Sequence, residues 1–337
     1  MRQQHVLLGH GSGGKLMHDL IEGLFQPALL TADGASALND AAVIEAGGAR
    51  LAMTTDSFVV DPLFFPGGDI GAMAVYGTVN DLAVSGARPL FISAAFILEE
   101  GLLLEDLSRI VASMGRACAR AGVSLVTGDT KVVNRGKGDK VFINTTGIGV
   151  VERAVEISAD RARPGDKVLL NGSLGAHGVA VMLAREEMEF ERPILSDSAP
   201  LNGLVADMLD LTLDVHCMRD LTRGGLASAL NEIAGSSRVG FNIHEDRIPV
   251  QDEVKGACEI LGLDPLHVAN EGKLLAVVAP EQAERLLPVM RRNPYGREAV
   301  IIGEVVEERP ARVVMKTRVG GSRIVDMLAG EQLPRIC

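Results

Sequence analysis

The sequence predicts two α/β (α+β) domains in tandem, followed by a mobile C-terminal tail. Three observations carry this expectation. Strand-like and helix-like segments alternate through both halves, as in mixed layered domains. The composition shifts at 152–167, a charged stretch holding Arg163-Pro164-Gly165-Asp166, which is a turn signal. The 337 residues are enough for roughly two domains of about 150 each. The expected division is 1–152, 153–318 and a tail at 319–337.

In chain order, Leu16, Met17, Leu20, Ile21, Leu24 and Phe25 recur at helical spacing after a glycine-rich loop. A strand is expected at 50–55, a small-residue helix at 70–85 and an apolar strand at 89–98. Residues 104–121 have helical period, with Leu107, Ile110, Val111, Met114 and Cys118 on one face. Strands follow at 123–127 and 140–151. In the second half, strands are expected at 168–171, 273–278, 299–305 and 312–316. Helices are expected at 179–187, 222–234, 254–261 and 280–291. No fixed-period repeat interrupts this order.

Composition narrows the function. With 33 Lys plus Arg against 44 Asp plus Glu, the net charge is −11. That balance argues against nonspecific nucleic-acid binding and against anionic membrane surfaces. No apolar run approaches the roughly 18 residues of a membrane span, and the first residues carry no signal-peptide pattern. The four cysteines, Cys118, Cys217, Cys258 and Cys337, show no CxxC spacing, so neither a zinc site nor a disulfide framework is indicated. A reducing cytoplasm is the expected compartment. Glycine is in excess, 38 of 337, or about 11% against roughly 7% on average. Such an excess suggests tight loops where backbone approaches a ligand closely.

The first such loop is Gly9-His10-Gly11-Ser12-Gly13-Gly14-Lys15. It fits GxGxxG and nearly fits a P-loop, but Leu16 stands where a hydroxyl would meet magnesium. Asp33 is at a dinucleotide-like distance, yet its surroundings read as a loop. A glycine turn capping the next helix explains the loop equally well. The acids say more. Asp40, Asp56, Asp81 and Asp129 lie among small or apolar residues: Asn39-Asp40-Ala41, Thr54-Thr55-Asp56, Thr78-Val79-Asn80-Asp81 and Gly128-Asp129-Thr130-Lys131. Buried carboxylates are costly unless paired or metal-bound, and magnesium is commonly shared between carboxylates and phosphates. One such aspartate alone reads as a cap or turn residue. Together the four read as a Mg-nucleotide site.

In the second half, Arg219-Asp220-Leu221-Thr222-Arg223-Gly224-Gly225 precedes a helix whose first amides suit phosphate oxygens. Asn270-Glu271-Gly272-Lys273 is a polar knot before a strand, with Glu271 a candidate base or a turn residue. Cys337, last in the sequence, reads either as a covalent carrier on a swinging arm or as an incidental exposed thiol.

These residues, with Asp61-Pro62-Leu63-Phe64-Phe65-Pro66-Gly67-Gly68 and the closing Pro334-Arg335-Ile336-Cys337, resemble the ATP-binding superfamily of aminoimidazole ribonucleotide synthetase and selenophosphate synthetase. Within it they resemble the carbamoyl dehydratases of hydrogenase maturation. The resemblance implies an N-terminal domain whose strands join a partner's in a dimer β-barrel, a C-terminal α+β domain, and ATP between them. It implies that a HypF-type carbamoyltransferase loads Cys337, and that ATP drives dehydration of the carbamoyl group to a thiocyanate. The cyano group then passes to iron on a HypC–HypD scaffold, as a cyanide ligand of [NiFe]-hydrogenase.

By the same resemblance Cys337 is the carrier, and Glu271 with Lys131 supplies the base. His10 with Gly11, Gly13 and Gly14 closes over phosphates or tail. Asp56, Asp81, Asp129 and Asp220 hold Mg2+. Asp40, Asn80, Thr130, Thr222, Gly224 and Gly225 complete the nucleotide site. Relatives often carry two adjacent acids where this chain has Asn39-Asp40. Three other readings stand beside this one: an ATP-dependent synthetase or kinase acting on a free small molecule, a nucleotide-binding carrier without chemistry, and, on the glycine loop alone, a nicotinamide dehydrogenase.

Overall fold

The computed structural model of the chain describes residues 5–29, 38–188, 190–328, 330, 333 and 335–337. Asp33 and Pro334 lie outside the described residues.

The first half opens with a 3-10 turn at Leu8–Gly11, the helix α1 (Lys15–Leu20), a π turn at Ile21–Phe25 and α2 (Gln26–Leu29). There follow β1 (Ala42–Ala46), β2 (Ala49–Phe58), the short hairpin β3 (Phe64–Phe65) and β4 (Gly68–Asp69), α3 (Ile70–Val84), β5 (Arg88–Glu99), α4 (Leu104–Ala121), β6 (Ser124–Val133) and β7 (Val141–Val150). Five of these strands form one sheet in the order β1-β2-β7-β5-β6, which is open within a single chain.

Burial alternates along β7, with Val141, Ile143, Thr145, Gly147 and Gly149 turned inward, as period 2 requires. The inward face takes α3, whose residues are buried all round because it lies between this sheet and the second half. Its close seat needs Gly147, where a Cβ would stand 2.6 Å from Thr78 Cγ2. The outward face is apolar and exposed at Met53, Phe91, Ile97 and Ile148.

The second half holds β8 (Lys167–Leu170), α5 (Ala176–Arg185), α6 (Asn202–Leu211), β9 (Val215–Asp220), α7 (Gly225–Ser237), β10 (Gly240–His244), α8 (Asp252–Leu261), β11 (Leu274–Val278), α9 (Pro280–Arg292), β12 (Val300–Val306), β13 (Arg312–Lys316) and β14 (Ser322–Ile324). Its seven-stranded sheet runs β14-β13-β10-β12-β8-β11-β9. Strand β11 is apolar throughout because both faces are covered. Leu274 and Ala276 pack with α6, α9 and the end of α3, while Leu275 and Val277 pack beneath α7. The first of these clusters joins Ala41, Ala52 and Leu82 to Leu204 and Met208, so one core crosses between the halves.

β1, the β3–β4 hairpin, α6, β9, β10 and β14 were not expected from the sequence, and β14 falls within the expected tail. The strand β6 is longer than expected. It runs through Asp129 to Val133, paired in parallel with β5. The turn-like Gly128-Asp129-Thr130 continues the strand because a Cβ at Gly128 would stand 2.3 Å from the Ala94 carbonyl oxygen, and glycine has none. Cys118, Cys217 and Cys258 are buried and free. Among the described residues, no helix is long and apolar enough to cross a membrane.

The segment expected as a mobile tail is docked here. Ile336 bridges Val60 in antiparallel fashion and enters the first-half core at 3% exposure.

Candidate active site

A cleft of about 700 Å³ opens between the halves, lined by Gly13, Gly14, Asp40, Asp56, Asp81, Asp220, Thr222, Arg223 and Gly225 among others. Each acid arrives on a different element. Asp40 precedes β1, Asp56 sits in β2, Asp81 in α3 and Asp220 ends β9. Reciprocal bonds brace β2 against α3. Thr54 Oγ1 donates to Asp81 Oδ2 at 2.7 Å, and Thr78 Oγ1 donates to Asp56 Oδ2 at 2.9 Å.

Asp40, Asp81 and Asp220 bring carboxylate oxygens within 4.8 Å of one another. Burial pushes Asp81 and Asp220 well above the usual carboxylate range, and the neighbouring carboxylates push them further. Burial also raises Asp40, against the pull of Arg219. Three oxygen donors held together with too little positive charge fit a hard divalent cation such as Mg2+.

The cluster differs from the expected magnesium set: it holds Asp40, and it includes neither Asp129 nor Asp56, which lines the same cleft beside it. Asp129 lies on the open edge strand β6, with its side chain exposed and Lys131 Nζ 3.6 Å away, and the three-acid group does not include it. Asp40 takes that place because Arg219, bonded also to Glu232 and to the Leu38 carbonyl, holds it there. Asn39 is no ligand in this arrangement. Its amide oxygen accepts from the Ala159 N–H at 2.9 Å and its amide nitrogen donates to Ser158 Oγ at 3.0 Å.

Glu271 is 2% exposed, and neither carboxylate oxygen has a hydrogen-bond partner among the described residues. Burial first, then Asp220 and Asp197, raises it well above the usual range, while Arg223 opposes them. Lys131 is not brought to it within the chain; its side chain is 74% exposed on β6, beside the exposed Thr130.

Asn80, expected at the nucleotide, turns instead to the second half. It donates to the Ala199 carbonyl at 3.1 Å and accepts from the Leu201 N–H at 2.8 Å. His10 turns to its own loop, where its Nδ1 accepts from the Leu7 N–H at 2.9 Å. Gly11 is exposed, and its carbonyl accepts from Arg223 Nη1 at 3.2 Å. Gly13 and Gly14 are the close-packed members of the loop. A Cβ at Gly13 (φ +72°) would meet the Arg223 carbonyl oxygen at 2.5 Å, and one at Gly14 would meet that of Leu328 at 2.3 Å. Gly224 and Gly225 both take positive φ, +80° and +58°, to turn the chain from β9 into α7.

The tail completes the site. Cys337 feels the charges of Arg223, Glu271, Asp56 and Asp220, and burial pushes its thiol far above its ordinary range. Its neighbour is held by His177, whose Nε2 lies 2.8 Å from the Ile336 carbonyl oxygen. His177, Ser196, Asp197, Arg185, Arg219 and Glu232 were not among the expected site residues. Arg219 was visible beside Asp220 in the motif. A single histidine opening an apolar helix carried no such signal.

The chain matches the AIR synthase related protein, N-terminal domain family over residues 38–151 and the AIR synthase related protein, C-terminal domain family over residues 163–316. It is 56% identical over 337 residues to the carbamoyl dehydratase HypE of Azotobacter vinelandii, covering all of this chain and 98% of that one. A crystal structure of the hydrogenase maturation protein HypE in complex with ATP is 50% identical, with a TM-score of 0.83 over 99% of this chain and all of that one. That of a HypE–HypF complex is also 50% identical, with a TM-score of 0.87 over 92% of this chain and 99% of that one. The chain therefore belongs to the AIR synthase related family and, within it, to the HypE carbamoyl dehydratases.

Proposed function

We propose that this chain uses ATP to dehydrate an S-carbamoyl group on its own Cys337 to a thiocyanate, for the cyanide ligand of [NiFe]-hydrogenase iron. The observation that supports the reading is the docked tail: Cys337 feels the charges of Arg223, Glu271, Asp56 and Asp220, and Arg223, Asp56 and Asp220 line the inter-domain cleft.

The chemistry follows from leaving groups. An amide oxygen leaves poorly, whereas a phosphorylated one leaves well. The carbamoyl oxygen attacks the γ-phosphorus of ATP, the bond to the bridging oxygen breaks and ADP departs. One N–H proton is lost, giving an imidate phosphate on sulfur. A base takes the second N–H proton, the C–O bond breaks, phosphate leaves, and the C≡N bond forms. Catalysis of the first step is mainly positioning and charge stabilisation. Arg223 meets developing negative charge near the tail. The start of α7 lines the cleft at Gly225, and the amides that open a helix suit phosphate oxygens. Asp40, Asp81 and Asp220 would hold Mg2+, with Asp56 adjacent, and the ion would supply charge neutralisation on the phosphates.

Glu271 takes the proton in the second step. Burial first, and then the charge of Asp220, keep it protonated, so a ligand that compensates Asp220 moves it towards the form that acts as a base. Loading is favoured in the opposite tail position, since the thiolate is the nucleophile and burial raises the pKa of the docked thiol. A HypF-type carbamoyltransferase therefore meets the tail outward, and a HypC–HypD scaffold receives the cyano group there.

The reading includes a homodimer. The outward face of the first sheet, with Met53, Phe91, Ile97 and Ile148 exposed, and the open edge β6 are what a second copy would cover. Asp129, Thr130 and Lys131 lie on that edge, so any part they take is shared with the partner's side.

The test is Cys337→Ala. Carbamoyl-dependent ATP consumption disappears while ATP binding persists. Undiminished turnover with free carbamoyl compounds would favour a synthetase acting on a small molecule.

A further inference from the structure

Helix α5 grips the tail at both of its ends. At its start, His177 is fully buried with Nε2 2.8 Å from the Ile336 carbonyl oxygen and Nδ1 2.9 Å from Ser196 Oγ. At its last residue, Arg185 Nη2 donates to the Arg335 carbonyl at 2.8 Å and Nε donates to the Asp61 carbonyl at 2.8 Å. Two consecutive tail carbonyls are thus held by donors from one helix. On the other side the Asp61 N–H donates to the Arg335 carbonyl at 3.3 Å.

Elementary bonding fixes the histidine's tautomer. A carbonyl oxygen only accepts, so Nε2 carries the hydrogen. Nδ1 then accepts the Ser196 hydroxyl hydrogen, and Ser196 Oγ accepts from the Ser198 N–H at 3.1 Å. Phe65 packs edge-on against the ring at 5.3 Å and locks its plane. Every polar atom of the imidazole is spent on holding the tail or on being held. The next residue of the same loop, Asp197, accepts from the Glu271 N–H at 3.0 Å and pairs with Lys273 Nζ at 3.0 Å. One short loop therefore supports both the group that seats the thiol and the acid that faces it.

We propose that His177, set by Ser196, is the latch that seats Cys337 for dehydration: a positioning residue that acts on the reaction through the Ile336 carbonyl. This rests on Cys337 being the carrier, but the latch itself is read without any chemistry. A buried carbonyl that loses its donor costs free energy in the docked state and none in the undocked one, so the undocked population rises. Burial lowers the affinity of His177 for a second proton, which agrees with the neutral ring required by the bonding.

The experiment follows Cys337 alkylation by iodoacetamide in the full chain, read by mass on the C-terminal peptide, which distinguishes it from the three buried cysteines. His177→Phe keeps the ring and its packing on Phe65 but removes the donor. Alkylation is expected to quicken about tenfold, equal to about 1.4 kcal/mol. His177→Gln, with an N–H near the place of Nε2, restores most of the protection. With a carbamoylated tail, His177→Phe lowers kcat and leaves the KM for ATP unchanged. Unchanged protection in His177→Phe overturns the latch. So does equal loss in both variants alongside a lowered Tm, since that would mark a structural residue. If His177→Phe does not fold, Ser196→Ala serves: faster alkylation supports the latch and unchanged alkylation overturns it. Failure of dehydration with normal tail protection would instead count against the dehydratase reading.

Discussion

Ile336→Ala separates docking of the tail from stability of the fold. Ile336 is 3% exposed in the cluster with Val60, Leu63, Phe65, Met73 and Val181. Truncating a buried isoleucine to alanine typically costs about 2–5 kcal/mol. Arg335 and Ile336 join the body through one β-bridge and a few side-chain bonds, so the loss falls on the docking equilibrium. At about 1.4 kcal/mol per tenfold, the ratio of docked to undocked tail falls roughly 30-fold to several thousand-fold. Trypsin reads this directly, because the bond after Arg335 is cleavable only when that carbonyl leaves Arg185 and Asp61. Cleavage followed by intact mass should quicken by at least the lower of those factors, with Tm unchanged. Cleavage at the wild-type rate would refute the reasoning, as would a Tm drop matching the full loss, which would make Ile336 part of the folding core.

Two other substitutions probe the cleft. Glu271→Gln should slow dehydration by about 10²–10⁴-fold, the usual worth of general acid–base catalysis, with ATP affinity kept. It should also stabilise the ligand-free protein. The unfolded chain releases the Glu271 proton near its ordinary 4.5, whereas the folded chain retains it, so wild type loses stability as pH rises above that value. The Tm gain of Glu271→Gln should therefore be near zero at about pH 4.5 and grow towards pH 8; a pH-independent difference would contradict the assigned protonation. Gly13→Ala puts a methyl 2.5 Å from the Arg223 carbonyl oxygen at φ +72°, a strain of at least about 1 kcal/mol before the clash. It should lift the glycine loop and weaken ATP binding about tenfold or more by calorimetry, and unaltered affinity would show that the loop does not close on the nucleotide.

What the sequence made legible follows physical range. Local periodicity exposed the amphipathic α4 and the apolar β11, because one-face burial or two-face burial writes itself into adjacent residues. It did not expose β9, whose Val-His-Cys-Met-Arg-Asp run is an edge strand carrying site residues, so function overrides pattern there. The motif spacing marked Asp56, Asp81 and Asp220, which line the same cleft. It could not rank Asp40 above Asp129, because that depends on the long-range pairing with Arg219 and on β6 being an edge. Asn80 misled for the same reason: beside Asp81 in sequence, it is about 100° around the helix and faces the other domain. His177 had no local mark at all. Its partners Ser196 and Ile336 lie 19 and 159 residues away, and only the folded chain joins them.

The central claim is that the chemistry happens on the chain's own thiol. The tail is loaded by the carbamoyl donor system, Mg-ATP is added, and the mass of the peptide ending in Cys337 is followed together with ADP release. The expected result is loss of one water from the carbamoylated peptide as ATP is consumed. A peptide that keeps its carbamoyl mass, with active donor and ATP present, would contradict it.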